Sequence, residues 1–226
     1  MPAWAIEEFE HYVRQTAKPE VAETYLKSLG SLRRFLHAYS LSSITPADLR
    51  RFISRWFVDH DSLGIHPQEF LTSLEEFFAW TERVTRDPAA GISLNVVKEF
   101  SQSLPRATEI TRALTDHLTQ RRGSFSFPEF LTTFAEGGQS QYDLDVAGEG
   151  EGPGALEGYF RLRRVDGQFA DVEEIISGET AWPVVFPVGA ARLIEPDFII
   201  NLEIIRSGTG WEITACGFAY PPSAEF

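Results

Sequence analysis

Hydrophobic side chains recur three and four residues apart through the first 84 residues, and this spacing is typical of amphipathic helices. The first predicted helix carries Trp4, Phe9 and Val13 on its apolar face. Pro19 is a favourable first-turn residue, so we place the start of a long second helix there. The predicted buried stripe of this helix consists of Val21, Tyr25, Leu29, Leu32, Phe35, Leu36 and Tyr39.

The stretch SSITPADLRRFISRW contains the signals of a third helix start. Thr45 suits the N-cap, Pro46 suits the first helical position, and the carboxylate of Asp48 favours a helix N-terminus. The predicted buried face of this helix is Leu49, Phe52, Ile53, Trp56 and Phe57. After a loop at 58–66, Pro67 opens a fourth helix whose apolar residues are Phe70, Leu71, Leu74, Phe77, Phe78 and Val84. The pattern predicts a compact four-helix bundle.

The periodicity changes after the fourth helix. Pro88 and Gly91 interrupt the helical pattern, so we predict a domain boundary at residue 88. Two further helices, separated by Pro105, form a predicted helical connector over residues 89–136.

From residue 137 onwards, apolar and polar residues alternate with a period of two, which indicates strands. The clearest strand signal is a hairpin formed by residues 198–206 and 211–220. Residues 169–178 allow a helix as well. The predicted fold class is therefore α+β, with a four-helix bundle (1–88), the helical connector (89–136) and a small antiparallel β domain (137–226).

The net charge of -13 is unevenly distributed. Residues 1–88 carry 10 basic and 13 acidic side chains (net -3), and residues 89–130 carry 5 and 4 (net +1). Residues 131–226 carry 5 basic and 16 acidic side chains, which gives net -11. Such an acidic surface repels phosphate backbones, so we expect any nucleic-acid contact within the first 130 residues.

The sequence predicts a cytoplasmic protein without a membrane segment. Its single cysteine, Cys216, cannot form an internal disulfide, and the acidic start MPAWAIEEFEHYV does not resemble a signal peptide. No stretch approaches the roughly 18 uninterrupted apolar residues of a membrane-spanning helix.

Three segments carry a family resemblance: FEHYV (9–13), YLKSLGSLRRFLHAYSLSSITPADLRRFI (25–53) and FLTSLEEFFAW (70–80). These segments resemble the N-terminal core-binding domain of tyrosine recombinases and phage integrases. The resemblance lies in the order of the segments, in the ITP-x-D cap and in the double Phe. The resemblance covers about a third of the chain. It implies a SAM-like helical bundle that contacts DNA.

In that family, catalysis belongs to a separate C-terminal domain with a tyrosine nucleophile, arginines, a lysine and a His-x-x-Arg motif. None of the five histidines here is followed by arginine three residues later, and none lies beyond His117. We interpret Tyr220 as an aromatic strand residue rather than a nucleophile. The chain is therefore not expected to be a recombinase, and no other enzyme class is indicated.

The resemblance implies DNA contacts through basic side chains on the bundle helices. The candidate phosphate contacts are Arg33, Arg34, Arg50, Arg51 and Arg55. However, Glu75 and Glu76 stand where the family often has arginine, and carboxylates there would weaken binding to phosphates.

Two other groups of polar residues suggest no ligand. The metal-capable side chains around one loop fit no established ligand spacing, and we predict neither a metal nor a cofactor. These side chains are Asp59, His60, Asp61, His66 and Glu69. The carboxylates Asp171, Glu173 and Glu174 would serve as general acids or bases only if they lay in a buried cleft.

The leading functional hypothesis is a non-catalytic, DNA-associated protein whose β domain serves oligomerisation or partner binding. The alternative is a protein-interaction adaptor that uses the bundle as a scaffold and does not bind DNA. A small-molecule site within the β domain is a third alternative.

Overall fold

The computed structural model describes most of the chain: residues 4–41, 43–62, 64–122 and 154–226. These residues fall into two compact units. One comprises Met1–Thr108 with Tyr220–Phe226, and the other comprises Glu109–Ala219. The predicted boundary at residue 88 lies within the first unit, and the predicted boundary at residue 136 stays a prediction. Residue 136 and the start of the predicted β domain lie outside the described residues.

Helices form most of the first unit, as the hydrophobic periodicity predicts. They are α1 (Trp4–Thr16), α2 (Pro19–Ala38), α3 (Pro46–Arg51), α4 (Phe57–His60), α5 (Pro67–Thr85), α6 (Pro88–Glu99) and the first turns of α7 (Ser103–Arg122). Pro19, Pro46 and Pro67 each open a helix as expected. In the part of the chain that the structure describes, no helix is long and apolar enough to cross a membrane.

The third helix has an irregular centre. Thr45 and Asp48 form the predicted capping box, in which each side chain accepts the backbone N–H of the other residue. Between α3 and α4, residues Phe52–Trp56 form a π-helical segment. Such segments occur frequently at functional sites because they alter which side chains share a face.

The helix predicted to begin the connector belongs to the bundle. Pro88 starts α6 rather than ending a pattern, with Asp87 as its N-cap, and α6 packs against α5 and α3. Phenylalanines dominate the fully buried core of this unit: Phe9, Phe35, Phe52, Phe57, Phe70, Phe77, Phe78 and Phe100. The predicted burial is wrong for Val21, Tyr39 and Val84, which lie near helix ends and are 42%, 46% and 51% exposed.

The second unit contains a closed five-stranded barrel. Its strands are β1 (Ala155–Asp166), β2 (Phe169–Glu174), β3 (Thr180–Val185), β4 (Ile199–Ser207) and β5 (Gly210–Tyr220), and a short helix α8 (Val188–Ala191) follows β3. The strand order around the barrel is β1-β2-β3-β5-β4. This is a five-stranded Greek-key barrel, an architecture that includes the OB-fold.

One prediction for this region is wrong, and one open alternative is resolved. The sheet is not purely antiparallel, because β3 and β5 pair in parallel through Val184 with Trp211 and Val185 with Glu212. The long crossover that contains α8 and β4 makes this parallel pairing possible. Residues 169–178 do not form a helix: Phe169–Glu174 is strand β2, whose alternate residues point into the barrel.

Candidate functional site

The candidate arginines of α2 are engaged with carboxylates of neighbouring elements. Arg33 donates to Glu10 on α1 at 3.0 Å. Arg34 donates to Asp61, just after α4, and Asp61 also accepts a hydrogen bond from the buried hydroxyl of Ser31. These two arginines therefore join helices of the bundle, and neither lines the cavity that Arg51 and Arg55 border.

Arg50 connects α3 to α6. Its guanidinium donates two hydrogen bonds to Glu99, from Nε and Nη2, each 3.0 Å long. This bidentate geometry is the strongest form of an arginine–carboxylate pair. The Glu99 carboxylate raises the pKa of Arg50, and Glu225 adds a smaller contribution in the same direction.

Arg51 and Arg55 lie together on another face of the third helix. Their ion pairs are longer: Arg51 Nη2 is 3.9 Å from Asp48 Oδ1, and Arg55 Nε is 3.7 Å from Asp59 Oδ2. Both distances exceed that of a hydrogen bond. The structure thus brings together only two of the five candidate arginines.

These two arginines border a cavity of about 570 Å³, here called the arginine–aromatic cavity. Trp56 and His60 stack in its wall, with ring centroids 3.9 Å apart and an interplanar angle of 13°. Tyr39 meets Trp56 edge to face at 5.9 Å, and the Arg51 guanidinium lies 5.3 Å from the Tyr39 ring centroid. The full lining is Tyr39, Arg51, Arg55, Trp56, Asp59, His60, Glu225 and Phe226.

Part of the cavity wall comes from residues 220–226, which we call the docked segment. The Tyr220 hydroxyl donates to Asp59 Oδ1 at 2.7 Å, and Arg55 Nη1 donates to the carbonyl oxygen of Glu225 at 3.1 Å. The Arg55 guanidinium also lies 4.4 Å from the Phe226 ring centroid. The bundle thus holds a peptide segment through one arginine, one aspartate and an aromatic ring.

Asp59 has an altered protonation equilibrium. Burial raises the pKa of its carboxyl group, and this effect outweighs the hydrogen bond from Tyr220 and the charges of Arg55 and His60. Nearby, the indole N–H of Trp56 is buried and has no acceptor among the described residues. The cavity therefore contains polar groups that are not fully compensated within this unit.

The sequence indicated the arginines, and it indicated Asp59 and His60 as polar loop residues, but it did not indicate the aromatic part of the cavity. Trp56 and Tyr39 were expected in the core, yet Trp56 is half-buried and Tyr39 is exposed. The spacing of Trp56 and His60 by four residues was an available signal for their stacking. Glu225 is 170 residues from Arg55 along the chain, and no local pattern links the two.

Four of the five residues considered for a metal site make other contacts. Asp59 and Asp61 bind Tyr220 and Ser31, His60 stacks on Trp56, and the His66 side chain accepts the N–H of Gln68 as the cap of α5. The described residues contain no cluster of three or more histidine, cysteine, aspartate or glutamate side chains that could hold a metal ion.

Glu75 and Glu76 are the two residues whose carboxylates were predicted to oppose DNA. Glu76 is exposed and Glu75 is half-buried.

The second unit has its own cavity, of about 670 Å³, between α7 and the barrel. Arg121 and Glu212 face it with an ion pair of 3.5 Å, and Asp116 and His117 also line it.

Three titratable groups of the second unit have altered pKa values. Arg163 lowers the pKa of Glu173. Burial raises the pKa of Glu174, but hydrogen bonds from Ser177 and Ile176 outweigh it and keep this pKa below its usual value. Burial also raises the pKa of Cys216 to about 11, so the thiol is not reactive at neutral pH.

Comparisons with known proteins give no family assignment. No family model matches this sequence, and neither a curated protein nor a solved structure matches it.

Proposed function

We propose that the protein is a non-catalytic adaptor whose helical bundle binds protein segments at the arginine–aromatic cavity. One observation carries this proposal: the bundle already holds the docked segment through a backbone carbonyl and an aromatic side chain, both contacted by Arg55. An arginine that donates to a peptide carbonyl and packs on a ring recognises features common to protein chains.

The state of the five candidate arginines favours an adaptor over duplex DNA binding by the bundle. Each arginine lies within 4 Å of a carboxylate of the same unit. A phosphate would have to displace that carboxylate and leave it unpaired near the DNA. The gain from counterion release would then be small, because binding needs several net neutralised phosphates.

Peptide titration tests the adaptor. A labelled, amidated peptide of residues 220–226 is titrated into the full chain carrying Phe226→Ala. This substitution removes the ring that packs on Arg55 and so weakens the binding of the chain's own docked segment. We expect binding by fluorescence anisotropy that is lost when Arg55→Gln is added and retained with the matched control Arg33→Gln. The wild-type chain should bind this peptide less well, because its own segment competes at roughly millimolar effective concentration. Equal binding with and without Arg55→Gln would contradict the proposal.

A second function, contact with single-stranded nucleic acid, is favoured by a different surface. On the outer face of the barrel, Trp182 and Phe169 are 42% and 45% exposed, and the Arg164 guanidinium lies 4.6 Å from the Trp182 ring centroid. Aromatic rings flanked by arginine can stack on unpaired bases, and five-stranded Greek-key barrels bind oligonucleotides on the face of strands 2 and 3. However, residues 154–219 carry 5 basic and 10 acidic side chains, which opposes this function.

Nucleic-acid titrations at two salt concentrations separate these functions. The adaptor predicts no binding of duplex or oligothymidine at low salt. Duplex binding that is lost in an Arg50/Arg51/Arg55→Glu variant would restore DNA association by the bundle and contradict the adaptor. Oligothymidine binding that is lost with Trp182→Ala but kept in the arginine variant would assign the activity to the barrel.

A further inference from the structure

The open part of the arginine–aromatic cavity contains one arginine that the docked segment does not use. Arg55 contacts Glu225 and Phe226, and Arg50 is fixed by Glu99. Arg51 has only the long 3.9 Å contact with Asp48 and the Tyr39 ring beside it, and its side chain is 42% exposed. Of the three arginines on this helix, Arg51 is therefore the one best placed to receive an anion from outside.

Flat rings surround this arginine. Tyr39 is 46% exposed and stands edge to face with Trp56, which supplies a half-buried indole to the same cavity. The Trp56 N–H is buried without an acceptor in the described chain. A bound group with a ring would cover the exposed aromatic surface.

We propose that the cavity binds a partner-protein segment in which an aspartate or glutamate adjoins an aromatic residue. Arg51 binds the carboxylate, while Tyr39 and Trp56 pack on the aromatic ring. This inference rests on the proposed adaptor function and names its partner class. The docked segment shows that this helix already holds an aromatic residue next to an acidic one, although Arg55 contacts the main-chain carbonyl of Glu225 and not its carboxylate.

A peptide carboxylate fits this cavity better than a nucleic-acid strand. One nucleotide would also offer an anion and a ring, but a strand brings further phosphates. Those phosphates would lie near Asp48, Asp59 and Glu225, which border Arg51 or line the cavity. A single carboxylate requires one arginine and places no further negative charge there.

The test uses the full chain and three labelled, amidated peptides of equal length. Their centres are Glu-Phe, Gln-Phe and Glu-Ala within the same Gly-Ser flanks. Fluorescence anisotropy should show the Glu-Phe peptide binding about ten-fold more tightly than the Gln-Phe peptide, which is the usual contribution of a charge-assisted hydrogen bond. The Glu-Ala peptide should bind more weakly than Glu-Phe as well.

Arg51→Gln should abolish the preference for Glu-Phe over Gln-Phe, whereas the matched variant Arg33→Gln should retain it. Arg51 is half-exposed, so its variant should keep the far-ultraviolet circular dichroism and the urea midpoint of the wild type. Equal binding of Glu-Phe and Gln-Phe peptides would overturn the inference and leave the adaptor function standing. Binding of none of these peptides would overturn it too. Tighter binding of oligothymidine, lost with Arg51→Gln, would assign the cavity to single strands instead.

Discussion

Two aspartates at the end of the third helix, only two residues apart, have opposite surroundings. Asp61 is 12% exposed and accepts hydrogen bonds from the buried Ser31 hydroxyl and from Arg34, so its charge is compensated within the bundle. Asp59 borders the arginine–aromatic cavity, where burial raises the pKa of its carboxyl group. Its partners are Tyr220 from the docked segment and a more distant Arg55.

The difference shows how to separate structural from ligand-facing polar groups in this bundle. A compensated network stabilises one arrangement of helices and leaves nothing for a partner to bind. A carboxylate that is held partly by a segment distant in sequence, and that lies next to an open cavity, can contribute to the binding of a partner. The following substitutions test this distinction, starting with the largest expected effect.

Asp61→Ala should destabilise the first unit by about 2–3 kcal/mol, because the buried hydroxyl of Ser31 loses its acceptor and Arg34 loses its counter-charge. Urea unfolding followed by far-ultraviolet circular dichroism measures the change. The double variant Ser31→Ala/Asp61→Ala is the control, and it should recover part of the loss because it removes both hydrogen-bonding partners. A loss below 0.5 kcal/mol would mean, roughly, an exposed contact rather than a buried network.

Tyr220→Phe should cost about 1–2 kcal/mol, since it removes the hydrogen bond to a partly buried carboxylate while keeping the aromatic ring. The same variant should increase hydrogen exchange of the docked segment, which mass spectrometry detects. Tyr12→Phe, at a 40% exposed position, is the matched control and should change neither quantity. An unchanged exchange rate in Tyr220→Phe would show that Asp59 does not hold the segment.

Asp59→Asn should have the smallest effect, below about 1 kcal/mol, because its ion pair with Arg55 is long and partly exposed. The informative measurement is the pH dependence of the difference in unfolding free energy between the variant and the wild type. A raised pKa in the folded state means that the ionised carboxylate is disfavoured by folding, and that protonation relieves this cost as the pH falls. The variant should therefore be slightly more stable than the wild type at neutral pH, and this advantage should shrink as the pH falls through the raised pKa. A constant difference across pH would contradict the assigned burial effect.

Much of the fold followed from local sequence signals. Thr45, Pro46 and Asp48 predicted a helix start that depends only on neighbouring residues, and the structure confirms it. The parallel pairing of β3 with β5 could not be predicted, because it depends on which distant strands close the barrel. Residues 169–178 were ambiguous because Phe169 and Val172 fit a helical period while Ala170 and Val172 fit a strand; burial in the barrel selects the strand.

Less of the candidate site could be predicted. Arg51 and Arg55 were visible as basic residues on one helix, and their carboxylate partners lie three and four residues away. The carboxylate partner of Arg50 and the carbonyl bound by Arg55 come from residues that only the tertiary structure brings near. Glu99 lies 49 residues from Arg50, and the docked segment lies more than 160 residues from Asp59. A charge count along the chain therefore overstated how many of these arginines are available to phosphates.

The π-helical segment Phe52–Trp56 also fixes the number of residues that this part of the third helix must contain. A turn closed by an i to i+5 bond contains one residue more than an ordinary turn, so every side chain after it is displaced by one helical position, about 100°. Deleting a single residue from this turn would leave the apolar composition nearly unchanged but would rotate Asp59 and His60 away from Arg51. If a relative lacks this extra residue, an alignment without a gap at the turn would match the cavity residues to the wrong positions, although the helix itself would align well.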